Sequence, residues 1–176
     1  MTEIKYETMP GGIELAYAED GGEDVGRTGL FWLGGFKSDM EGSKAETLAG
    51  LARDTRRSCF RFDYSGHGRS GGFFVDGTIS AWLDQAYHMF TRLSPGRRII
   101  VGSSMGGWLA LLLTRELRLK NPRAFRRVAG LVLLAPAADM TADLMWDVFP
   151  EKAREDLASR GVYERPSLYG DPYPIT

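Results

Sequence analysis

The stretch RIIVGSSMGGWLALLL, Arg98 to Leu113, carries the reading from which the rest of the fold is built. Ile99, Ile100 and Val101 form a short β-branched run, the signature of a strand buried on both faces. From Trp108 onward the chain is rich in leucine and alanine, which reads as a mostly apolar helix. Between them lies Gly102-Ser103-Ser104-Met105-Gly106-Gly107. This is G-x-S-x-G in the strand-to-helix context that defines a nucleophile elbow. A serine in such a turn has a strained backbone, and the residues two before and two after it must be small enough for strand and helix to approach. Gly102 and Gly106 meet that demand around Ser104, whereas Ser103 would be flanked by Val101 and Met105. Ser104 is therefore the candidate nucleophile. The Met105 amide, at the start of the helix, is placed to donate to a developing oxyanion with help from the helix dipole.

Working outward, strands and helices alternate. Residues 5–17 read as a hairpin, turning at Met9-Pro10-Gly11-Gly12, with Ile13, Leu15 and Tyr17 alternating afterwards. GLFWLGGF, residues 29–36, is a buried strand ending in the pair Gly34-Gly35. That loop would aim the Phe36 amide toward the same oxyanion position. A helix follows, in which Ser43 and Glu46 suggest a capping box and Ala45, Leu48, Ala49 and Ala52 share one face. SCFRFD, residues 58–63, is the next strand. Residues 78–93 form an amphipathic helix with Trp82, Leu83, Ala86, Met89 and Phe90 inside and Asp84 and His88 opposite. VAGLVLLAPA, from Val128, is a further strand, apolar on both faces. Such alternation predicts an α/β protein with a mostly parallel sheet and helices on both faces, preceded by the antiparallel hairpin.

Composition narrows the function. At 176 residues the chain is one domain, and 43% hydrophobic with 26% charged residues is ordinary for a globular fold. A net charge of -1 offers no footprint for nucleic acid. One cysteine, Cys59, and two histidines, His67 and His88, make neither a disulfide framework nor a usual zinc site, and no cofactor is expected. No stretch reaches the length of apolar sequence that spans a bilayer, and the N-terminus lacks the pattern of a secretory signal, so a cytoplasmic location is the default expectation. The expected partner is a small molecule.

The elbow, the glycine loop and RFDYSGHGRSG, residues 61–71, resemble the α/β-hydrolase family. The likeness spans essentially the whole chain. It is strongest to the branch containing α/β-hydrolase-domain protein ten, an acyl-protein thioesterase and acyl-glucuronide esterase; LGGF, the MEGSKA that follows it, VGSSMGGWL and the weaker GVYERPSLY, residues 161–169, carry it. The resemblance implies a serine hydrolase of carboxylic esters or thioesters, with Ser104 as nucleophile and the amides of Met105 and Phe36 as oxyanion hole. It also divides the chain into a six-strand core over residues 1–138 and the start of a cap over residues 139–176. There, Leu144, Met145, Trp146, Val148 and Phe149 suit either an acyl-chain pocket or ordinary packing, and Pro150 and Gly161 bracket a helix.

One departure matters. In this family the acid and then the histidine follow the nucleophile, yet no histidine follows Ser104. His67 reads as a structural part of its glycine-rich loop, His88 as a surface residue paired with Asp84, and Asp63 as the cap of its own turn. Asp139 ends the sixth strand, where some hydrolases carry the acid, though the resembled branch does not. The expectation is a chain close to inactive alone, the first part of a longer fold, with its sixth strand left as an open apolar edge. Two other functions fit the same residues: hydrolysis of a carbon-carbon bond, and a non-catalytic binder on a hydrolase scaffold.

Overall fold

The computed structural model describes residues 2–22, 26–166 and 172–176. Ser167, Leu168 and Tyr169, at the end of the weaker family-like stretch, lie outside the described residues. The chain runs β1 (Lys5–Thr8), β2 (Glu14–Gly21), β3 (Gly29–Leu33), α1 (Ser43–Asp54), β4 (Ser58–Phe62), α2 (Ile79–Arg92), β5 (Arg98–Ser103), α3 (Met105–Lys120), α4 (Pro122–Phe125), β6 (Val128–Leu134), α5 (Glu151–Arg160), β7 (Tyr163–Arg165) and β8 (Tyr173–Ile175). Six strands make one sheet in the order β1-β2-β4-β3-β5-β6. β2 is antiparallel to β1 and to β4, while β3, β4, β5 and β6 run parallel. The expected hairpin and parallel sheet are both present.

The layering follows from the two-residue period of β3. Phe31 and Leu33 point to one face, where they meet Phe60, Phe62, Ile100 and the apolar sides of α2 and α3. Leu30 and Trp32 point to the other, where α1 brings Ala45 and Ala52. Helices thus cover both faces. The larger side is built on aromatic contacts: Phe31 stacks on Phe60 at 5.4 Å and meets Phe90 edge-on at 5.2 Å. Each such ring, taken fully out of water, contributes about 1.5–3 kcal/mol.

Some local expectations change. Gly42, not Ser43, precedes α1 as its N-cap, without a side-chain cap bond. The Glu46 carboxylate is drawn instead to Arg61 on β4, because a buried guanidinium needs anionic partners more than an exposed amide needs a cap. His88 does not pair with Asp84. Its Nε2 lies 2.7 Å from Glu7 on β1, with only 16% of the side chain exposed, since the hairpin packs beside α2 and supplies a nearer acceptor. β6 forms one edge of the sheet, and Val132 and Leu134 are 45% and 40% exposed. Beyond it, α5 begins after Pro150 and ends at Gly161 in the left-handed region, φ 71°, as the punctuation predicts. The tail adds a separate two-stranded ribbon of β7 and β8.

On the α1 side a charge network ties the sheet together. Arg61, 3% exposed, donates from Nε to Asp20 at 2.8 Å and from Nη1 to the Met40 carbonyl at 2.5 Å. Asp20, on β2, also takes Arg53 from α1 at 3.0 Å. Removing one member of a buried pair strands the other, which costs about 3–5 kcal/mol, whereas a half-exposed pair contributes under about 1 kcal/mol. Urea denaturation of Asp20→Ala is therefore expected to show a loss of about 3–5 kcal/mol, and of Arg53→Ala under about 1 kcal/mol. Equal effects would mean that the network does not carry this weight.

Candidate active site

Strand order places the site. The connection from β3 through α1 goes to β4 on one side, and β5 lies on the other, so the carboxyl ends of β3 and β5 flank a crevice where the winding reverses. Open α/β sheets bind ligands at such a point. The Gly34-Gly35 loop leaves β3 there and Ser104 leaves β5.

Ser104 has φ 54° and ψ -120°, a strained conformation for a residue with a side chain. Several contacts hold it. Its amide donates to Leu134 O at 3.0 Å, and its carbonyl accepts from Gly107 at 2.9 Å and Ala137 at 3.0 Å. A Cβ on Gly102 would lie 2.3 Å from Gly106 O, and one on Gly106 only 2.1 Å from Leu33 O. The small flanking residues are thus demanded by backbone on both sides. Gly107, which the elbow pattern leaves unexplained, makes room for Pro136, 2.8 Å from where its Cβ would be. The clamp from the loop after β6 is invisible in sequence; the second glycine of S-M-G-G is its one trace.

The loop after β3 closes against this turn. A Cβ on Gly35 would stand 3.4 Å from Ser104 Cβ. Gly35 O accepts from the Ser38 amide at 3.1 Å and the Ser38 hydroxyl at 2.7 Å, and the Lys37 amide donates to His67 Nε2 at 3.2 Å. These bonds fix the peptides around Phe36. Met105 N–H, as the first amide of α3, lacks an intrahelical acceptor. The two amides singled out in the sequence therefore sit on segments that meet at Ser104.

His67 is structural, as expected, in a role that sequence could not supply. Its Nδ1 lies 3.1 Å from Ser65 O, so Nδ1 donates and Nε2 is left to accept from Lys37. Burial, opposed by the Ser65 carbonyl and aided by Lys37, holds its pKa below the usual value. The neutral ring braces the glycine loop. Asp63 caps its turn through the Arg69 amide at 2.9 Å, and it also accepts from Met40 at 2.7 Å. Desolvation raises its pKa. Asp139 is exposed on the turn after β6. Neither histidine is available to the Ser104 hydroxyl, because one is bound in the loop and the other to Glu7. Cys59 is buried, its pKa pushed up to about 12 by desolvation, so it is no nucleophile.

On one side of Phe36 lies a largely apolar cavity of about 310 Å³, lined by Phe36, Phe74, Ile79, Trp82, Met140 and Met145, with Pro174 and Ile175 closing one wall. Of the apolar cluster after β6, only Met145 reaches it; Leu144, Trp146 and Val148 are half-exposed, and Phe149 packs on Tyr163. Phe36 joins the cavity to the crevice, with its ring 4.9 Å from Phe74. Among the described residues no cluster of His, Cys, Asp and Glu could hold a metal ion, and no helix is long and apolar enough to cross a membrane.

Comparison with known proteins agrees with the fold. The model of the alpha/beta hydrolase family matches residues 26–174. Human palmitoyl-protein thioesterase ABHD10, named as mitochondrial, is 30% identical over 170 residues, or 97% of this chain and 52% of that protein. The chain thus spans about half the length of that relative. A protein from Agrobacterium vitis S4, known from its crystal structure, superposes with a TM-score of 0.93 at 40% identity, over 100% of this chain and 69% of that one. Alpha/beta hydrolase domain-containing protein 10 from mouse gives 0.77 at 26% identity, over 98% and 66% respectively.

The depressed His67 pKa has a signed consequence. As pH falls below about 6.5, the unfolded chain binds the proton first, so stability present above that pH is lost on acidification. Denaturation between pH 8 and pH 5 is expected to show that loss, and His67→Gln to be less stable at pH 8 but flatter across the range. An unchanged slope in His67→Gln would place the titrating group elsewhere.

Proposed function

The chain belongs to the alpha/beta hydrolase family, and from that premise we propose that it supplies the nucleophilic half of a serine esterase or thioesterase. The observation that carries this is Ser104, held at φ 54° against the Gly34-Gly35 loop. A binder has no use for strain at that one serine. In the reaction, Ser104 Oγ attacks the acyl carbonyl carbon as its proton passes to a base. The amides of Met105 and Phe36 take the resulting oxyanion, supported by the positive end of α3. The carbon-oxygen or carbon-sulfur bond then breaks, the alcohol or thiol leaves with the proton, and water hydrolyses the acyl-enzyme.

The apolar cavity beside Phe36 suits the acyl group, and its 310 Å³ is near the lower end of ligand pockets, about 300–1,000 Å³. Residues 139–176 act in this reading as the first part of a cap over it. A relative at 30% identity is a palmitoyl-protein thioesterase by name, which favours acyl thioesters over carbon-carbon hydrolysis. Both histidines are engaged elsewhere. The 176 residues by themselves therefore lack a working base and are nearly inactive.

Intact-mass spectrometry with a fluorophosphonate probe tests this. The 19.5 kDa chain is expected to take a single adduct on prolonged incubation, absent in Ser104→Ala. Acyl-thioester turnover by these residues alone should stay within about 10³–10⁴-fold of the water rate, the level left when a triad is broken. An adduct that persists in Ser104→Ala, or none on the wild type, overturns the assignment.

A further inference from the structure

The loop that carries Phe36 is a four-residue turn, closed by the Ser38 amide on Gly35 O at 3.1 Å. Its third residue, Lys37, stands at φ 57°. A turn with positive φ at that position calls for glycine or asparagine, and a long side chain there is strained. The amide of this lysine donates to His67 Nε2 at 3.2 Å. The common turn with the same closing bond has negative φ at its third residue, and its central peptide faces the opposite way. Here the central peptide joins Phe36 to Lys37, so the bond to His67 directly opposes its turning over.

His67 can make that bond in one protonation state. Its ring is buried and meets those of Tyr64 at 5.7 Å, Phe74 at 5.3 Å and Trp82 at 5.1 Å. Ser65 O takes the hydrogen on Nδ1 at 3.1 Å, which leaves Nε2 an acceptor only while the imidazole is neutral. A proton on Nε2 sets N–H against N–H. Turning the central peptide over then offers Phe36 O to the new donor and returns Lys37 to negative φ, so both gains favour the same movement. The charges nearby are few. Lys37 lies across the loop. Asp63, on the histidine's own loop, is engaged by the amides of Met40 and Arg69, and Arg69 is paired with Glu41. Burial keeps the Tyr64 hydroxyl protonated, while Phe74, before α2, and Trp82, on α2, meet the ring without charge.

We infer that His67 is a positioning residue for the oxyanion hole: its neutral ring holds the Phe36–Lys37 peptide in the strained turn that offers the Phe36 amide, and its protonated ring releases that turn. As regulation of the proposed hydrolase site this rests on that reading; the coupling of ring to turn does not. The rotation is taken up at Phe36, whose amide is one of two oxyanion donors in the proposed reaction. Protonation therefore withdraws a preorganised donor without touching the nucleophile. Burial, opposed by Ser65 O and aided by Lys37, makes this ring hold its proton less well than an ordinary histidine. The site is thus armed at neutral pH and disarmed on the acid side of about 6.5.

The test is an NMR titration of the ¹⁵N-labelled 176-residue chain from pH 8 to pH 5, with fluorophosphonate labelling of Ser104 followed over the same range. Of the two histidine side chains, the one missing in His67→Gln is expected to titrate below about 6.5. The Phe36 and Lys37 amides are expected to move with its midpoint while those of α3 stay. Labelling of the wild type is expected to fall at least about tenfold further than that of His67→Gln, since one oxyanion donor is worth about 10²–10³ in rate. In Lys37→Gly, glycine takes positive φ without strain, and loss of the ammonium moves the ring's midpoint up. Labelling of that variant is nonetheless expected to fall less on acidification than the wild type, whereas a histidine that merely packs predicts an earlier loss. Should His67→Gln not fold, the comparison with Lys37→Gly decides alone. A ring still neutral at pH 5, loop amides that ignore its midpoint, resonances of the whole chain vanishing with them, or a Lys37→Gly fall as steep as the wild type overturns the inference; so does a wild-type fall no steeper than that of His67→Gln. Absence of labelling at pH 8 counts against the hydrolase reading instead, and the ring and amide titrations still decide whether the turn follows His67.

Discussion

Everything at this site depends on how closely three backbones approach one another. The carbonyl of Leu33 at the end of β3 comes within 2.1 Å of where a Cβ on Gly106 would be, and Gly106 O within 2.3 Å of one on Gly102. Only hydrogen fits at either position. With that contact made, β3, β5 and the first turn of α3 are locked in one arrangement, and the serine between the glycines is forced to φ 54°. Strain at one residue is tolerated because the aromatic core beneath it and the carbonyls around it are already placed.

The same constraint divides labour between the two faces of the sheet. Phe31 and Leu33 send the weight of β3 into the core under α2 and α3, whereas Trp32, one residue away, turns toward α1 and packs with Ala45 and Val101. Phe36, which follows the Gly34-Gly35 loop, lines both the apolar cavity and the pocket that reaches Ser104. His67 makes this loop rigid. As a buried neutral ring it can donate to Ser65 and accept from Lys37 at once, which a protonated imidazole could not.

Much of this was legible in the residues themselves. Strand and helix types follow from period and β-branching, and the parallel sheet follows from their alternation. Ser104 was readable because glycine has few reasons to recur at such spacing between a strand and a helix. What misled was local pairing: Ser43 with Glu46 has the spacing of a capping box, and His88 with Asp84 that of a helical pair. Both lost to partners distant in sequence, Arg61 and Glu7. Partners three or four residues apart contribute only tenths of a kcal/mol when exposed, roughly 0.2–0.5, so a buried guanidinium or a packed hairpin overrides them.

By itself the sequence determined the alternation of strands and helices through β6 and the frame of the elbow around Ser104, because each rests on short-range stereochemistry that any copy of these residues must obey. Tertiary structure decided the rest. Which loop clamps Ser104, and that the Lys37 amide meets the ring of His67, depend on residues 30 or more positions apart. No pattern along the chain encodes such distances; they exist only once the sheet has chosen its strand order.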